Sequence, residues 1–94
     1  MGELPAIELL ESTHTFPGPY TFKVFGRTDP GFVARAVAGV REALGGAQDP
    51  PYKVRESVGG RHIAVTLEPE VQTAREVLAV YRRLRTTAGL VMLW

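Results

Sequence analysis

Few side chains in this sequence are equipped for a reaction, and their spacing gives them no common site. His14 and His62 lie far apart, with no ligand-type spacing for a metal. Ser57 has no His or Asp arranged to activate it. Cysteine is absent, which removes a thiol nucleophile, a disulfide and a cysteine-based metal site. "SVGGR", residues 57–61, has glycines of the kind that cradle phosphate. Such a cradle leads from a strand into a helix and continues with Lys-Ser/Thr. Here the glycines join two strands, so they read as a hairpin turn. Tyr81 falls on the apolar stripe of a helix, where a tyrosine serves the core. The expectation is a protein with no catalysis, no cofactor and no metal.

Binding chemistry is concentrated in "GRTDPGFVARAV", residues 26–37. A helix N-terminus offers free N–H groups and partial positive charge, which suit a ligand carboxylate. Gly31 has no side chain to block approach, and Asp29 has the charge to take a ligand ammonium. Asp29, Pro30, Gly31 and Phe32 are therefore the candidate ligand-binding residues. The competing reading is structural: Asp29 caps its own helix, and Pro30 fits the first helical position because its missing N–H would be unpaired there.

The elements that position this turn follow from periodicity. "YTFKVFG", residues 20–26, is a strand with Tyr20, Phe22 and Val24 on one face and Thr21, Lys23 and Phe25 on the other. Phe32, Val33, Ala36, Val37, Val40 and Leu44 recur at helical spacing, and Gly45-Gly46 stops that helix. "YKVRES" (52–57) and "HIAVTLE" (62–68) are strands two and three, and Pro69 closes the latter. Thr73 with Glu76 forms a capping box before a second helix, with Val77, Val80, Tyr81 and Leu84 as its buried stripe. Arg82, Arg83 and Arg85 flank the end of that helix, where positive charge suits its dipole. "LVMLW", residues 90–94, is strand four.

The fold class is α+β: a ferredoxin-like βαββαβ unit with a four-stranded antiparallel sheet, order 4-1-3-2, and two helices on one face. Phe22, Val24, Val37, Val40, Ile63, Val65 and Tyr81 are expected in one core. Residues 1–19 read as a partly ordered lead-in, with one short helical turn in "AIELLES", and residues 20–94 as a single domain.

Composition bounds the partners. The chain has 94 residues, 45% hydrophobic and 22% charged, with 11 Lys+Arg against 10 Asp+Glu. That balance gives no electrostatic push toward nucleic acid or membrane. No run is apolar enough for a membrane span, and no signal peptide is apparent. Met1-Gly2 starts like a myristoylation signal, but Ala6 stands where Ser or Thr is wanted. The missing cysteine fits a cytoplasmic location.

"FPGPYTFKVFG", "SVGGRHIAVTL" and "TAREVLAVYRRL" together resemble the YbeD-like family of small bacterial proteins of unknown function. Phe16, Pro17, Tyr20, Lys23, Val24 and Gly26 match its first motif. Ser57, Gly60, Val65 and Thr66 match its hairpin, and Tyr81 its second helix. The chain departs from it at Val58, Gly59 and His62. The resemblance implies a fold similar to ACT domains, regulatory modules that often bind amino acids. "TDPGFVARAV" is similar to the Asp-Arg-Pro-Gly-Leu-Leu turn of those domains, which implies a regulatory or sensor role with a small metabolite near Asp29–Phe32.

A second function class rests on strand four. Strand two is an edge guarded by Lys53, Arg55 and Glu56, whereas Leu90, Val91, Met92, Leu93 and Trp94 carry no charge. These five are the candidate partner-binding residues, for a second copy, a client protein or the lead-in. Because strand residues alternate, one of Val91 and Met92 is expected inward and the other outward. A third reading, RNA on the open sheet face, draws on Lys23, Phe25, Lys53, Arg55, His62 and Thr66. With one aromatic counted there, a solvated face is the better reading.

Overall fold

Alternating strand residues and two amphipathic helices produce the expected layers, and the lead-in adds to them. The computed structural model describes residues 4–57 and 59–94; the Met1-Gly2 start and the Val58 departure lie outside them. The elements are α1 (Ile7–Thr13), β1 (Gly18–Pro19), β2 (Phe22–Arg27), α2 (Phe32–Ala43), β3 (Tyr52–Glu56), β4 (His62–Leu67), β5 (Glu70–Val71), α3 (Ala74–Leu84) and β6 (Leu90–Leu93). The protein is a small α+β fold with three helices and two antiparallel sheets. The larger sheet runs β3-β4-β2-β6, so β2 and β4 are central and β3 and β6 are edges. Among its four strands in chain order this is 4-1-3-2 read from the far edge; a third helix and a second sheet were not foreseen.

Phe22, Val24, Ile63, Val65 and Leu67 face α2 and α3 and are buried with Phe32, Val37, Val40, Val77, Val80 and Tyr81. Register fixes this face: Phe22 lies opposite Leu67, Val24 opposite Val65 and Gly26 opposite Ile63. At Gly26 the sheet has no room for a side chain, because a Cβ there would run into the ring of Phe32. β2 starts two residues later than the sequence reading, since the Tyr20 N–H donates to Pro69 O at 3.0 Å, outside the larger sheet.

The lead-in differs most from expectation. Its single turn is a seven-residue helix. Leu4, Ile7 and Leu10 recur at helical spacing; Leu10 is buried and the other two pack against the core. α1 lies on α3, and β1 pairs antiparallel with β5, Gly18 opposite Val71. The described part of the lead-in therefore packs on α3 and β5. On α3, Thr73 Oγ1 accepts from the Glu76 N–H at 3.3 Å, while Glu76 Oε1 accepts from the Gln72 N–H at 2.6 Å. The capping box forms with its return bond one residue earlier than the standard arrangement.

Candidate functional site

Asp29 is held by its own chain. Its Oδ1 accepts from the Gly31 N–H at 2.8 Å, and Arg35 donates to both carboxylate oxygens at 3.1 and 2.8 Å. Arg35 also donates to Ala88 O, from Nε at 3.3 Å and from the guanidinium end at 3.0 Å. The cluster ties the turn before α2 to the loop before β6. The Arg35 hydrogen bond, followed by that from Gly31, holds the Asp29 carboxyl below its ordinary value. Phe32 is fully buried and Pro30 is exposed. On the far side of Pro30 a groove of about 480 Å³ runs along α2, lined by Val33, Val37, Arg41 and Tyr52 among others. Arg35 was missed by sequence reasoning; its place on the exposed side of the helix stripe was the available signal.

The remaining reactive side chains have structural partners. Tyr81 OH lies 3.3 Å from Tyr20 OH, and burial pushes its phenol pKa up. Tyr20 stacks obliquely on His14 at 4.8 Å and on Phe22 at 4.9 Å, so His14 closes an aromatic cluster over the lead-in. Ser57 Oγ donates to His62 O at 3.2 Å and accepts from the His62 N–H at 3.2 Å, closing the β3–β4 hairpin. Gly59 and Gly60 have φ of 88° and 68°, the left-handed region a tight hairpin turn uses. Among the described residues, no three His, Cys, Asp or Glu side chains converge as a metal site. No helix of the described residues is long and apolar enough to cross a membrane.

Apolar side chains reach solvent at both edges of the larger sheet, Tyr52 and Val54 on β3 and Val91 and Met92 on β6. Val24 pairs with Leu93, Phe25 with Met92, and Gly26 with Leu90, which leaves Val91 as an unpaired bulge residue. The bulge overturns simple alternation: Val91 and Met92 are both exposed, at 47% and 51%, while Leu90 and Leu93 pack on the core. Nothing in "LVMLW" signals a bulge, since its cause is register against β2. Trp94 continues the ladder, exchanging both backbone hydrogen bonds with Lys23 at 2.7 and 2.9 Å. That pairing puts Trp94 on the open face of the sheet beside Lys23. Antiparallel alternation then points the Leu93 N–H and C=O away from β2, toward the free edge.

Comparisons with known proteins agree with this architecture. A family model described as "Protein of unknown function (DUF493)" matches residues 11–93. No curated protein matches the chain. The solution structure of protein HP0495 from H. pylori is similar, with a TM-score of 0.62 at 16% identity, covering 100% of this chain and 98% of that one. At that identity the likeness is one of fold. Since the matched segment spans nearly every element from α1 to β6, the chain belongs to the DUF493 family, the YbeD-like proteins of unknown function.

Proposed function

We propose that the protein is a non-catalytic regulatory module that binds a protein partner by strand addition at β6. One observation carries this reading. β6 is an edge without a charged side chain, with Val91, Met92 and Trp94 about half exposed, and the described elements of the lead-in pack on α3 and β5. The opposite edge, β3, also exposes Tyr52 and Val54, but sets them between Lys53, Arg55 and Glu56, the usual protection against unwanted pairing. An extended segment laid along β6 gains backbone hydrogen bonds and apolar contact together. The partner is a client protein or a second copy of this chain. Placing a photo-crosslinking amino acid at Val91 tests the reading. Adducts to a client or a second copy from position 91, with none from the same group at Arg75 on α3, support it. Equal labelling from both positions, or none from 91, counts against it.

A second reading keeps the ACT-like sensor role, with a metabolite beside Asp29–Phe32. The observation in its favour is the groove that opens next to Pro30. Bound ligand would raise the melting temperature, by about 2.7 kcal/mol of added stability at a hundredfold excess over Kd. A thermal-shift screen of amino acids that moves nothing removes that reading.

A further inference from the structure

The open face of the larger sheet has a composition that the whole-chain charge conceals. In the paired register Lys53, Thr66, Lys23 and Trp94 form one row across the four strands. Arg55, Ala64, Phe25 and Met92 form the next row, and His62 with Arg27 begins a third. Four cations therefore share one face, and the acid beside them is Glu68, which follows Leu67 at the margin and whose N–H donates to Pro51 O in the same register. Glu56, opposite Ile63, belongs to the helix-covered side. Among the described residues, the ion pairs engage Arg35, Arg41 and Arg83 and none of these four.

Aromatic groups are interleaved with the charges. His62 on β4 stacks on Phe25 on β2, centroids 5.0 Å apart and planes 20° from parallel, on the two central strands. Trp94 stands one row away, half exposed. On the β3–β4 side of the same face, the small side chains of Ala64 and Thr66 floor a hollow of about 430 Å³, walled by Lys23, Lys53 and Arg55. The sequence alone showed one aromatic on this face; register against β2 adds Trp94, and the His62 ring supplies a second stacking surface.

We propose that this face binds single-stranded nucleic acid. Lys23, Lys53, Arg55 and Arg27 take the phosphates, while Trp94 and the His62–Phe25 pair stack the bases. Exposed π-faces beside unpaired cations are the chemistry that sequence-tolerant single-strand binding requires. An acidic protein would satisfy the cations but make no use of coplanar rings. The inference goes beyond strand pairing, since it uses side chains on the face and not the backbone of the edge.

Trp94 is the only tryptophan, so its fluorescence reports directly on the site. The probes are oligo-U and oligo-dT of about twelve nucleotides, within the span one small domain covers. Both should quench Trp94. With four phosphate contacts, affinity should fall roughly fifty-fold between about 50 and about 200 mM salt. Lys53→Glu with Arg55→Glu should weaken binding at least roughly tenfold, while Arg82→Glu on exposed α3 should leave it unchanged. Trp94→Ala, followed by anisotropy of labelled RNA, should cost about five- to 150-fold, with partial rescue by Trp94→Phe. Melting curves confirm that each variant is folded. The proposal is overturned if neither oligonucleotide binds at low salt, or if the charge reversals on the face have no effect. It is also overturned if inorganic polyphosphate or an acidic peptide competes as well as RNA while Trp94→Ala changes nothing.

Discussion

Asp29 shows how one side chain can read as a ligand group and serve as a fastener. Its carboxylate has three hydrogen bonds from its own chain, two of them from Arg35. A carboxyl whose folded pKa is lowered adds stability above its unfolded value, about 3.9, and loses that contribution as pH falls through the lowered one. An NMR titration of Asp29 should give a midpoint below about 3.9, and Arg35→Gln should move it upward. An ordinary midpoint in the wild type would mean that the ion pair does not form in solution. Tyr81 is the second test at this scale. Removing its hydroxyl in Tyr81→Phe deletes the contact with Tyr20 and should cost about 0.5–1.5 kcal/mol in denaturant titration. A variant as stable as the wild type would show that the two hydroxyls do not bond. Because burial raises the Tyr81 pKa, its stabilising contribution is complete below the unfolded tyrosine value of about 10 and declines as pH climbs beyond it.

At the scale of elements, the sheet and its two covering helices were legible because their signals are local. Alternation in 22–27 and 62–67 and the stripes of α2 and α3 each lie within one segment. The remaining features depend on distant partners. α1 is short and gains its place from Leu10 against α3, and the bulge in β6 exists only relative to Phe25 and Gly26. In the same way the sequence reads Asp29 as the cap and Pro30 as the first helical residue, whereas the N-cap is Gly31 and Asp29 accepts from the Gly31 N–H in the turn before the helix. Its link through Arg35 to Ala88 joins residues 53 positions apart. Gly26 tests the packing of β2 under α2. Gly26→Ala forces a methyl group against the buried ring of Phe32, and overpacking of this kind should cost about 1–3 kcal/mol. An unchanged denaturation midpoint would place the Phe32 ring elsewhere.

For the whole molecule, the asymmetry between the two edges of one sheet is the central feature. β3 carries three charged side chains beside exposed Tyr52 and Val54, β6 carries none, and the described lead-in elements pack on α3 and β5. The most direct measurement compares wild type with Val91→Lys, whose new charge points outward from the bulge and should leave the melting curve unchanged. Both proteins are used as bait in cell extract and sedimented at high concentration. The account predicts that the wild type holds a client or a second copy and that Val91→Lys loses it. A wild type that sediments as a monomer and captures nothing, or a partner that Val91→Lys retains at full yield, contradicts it.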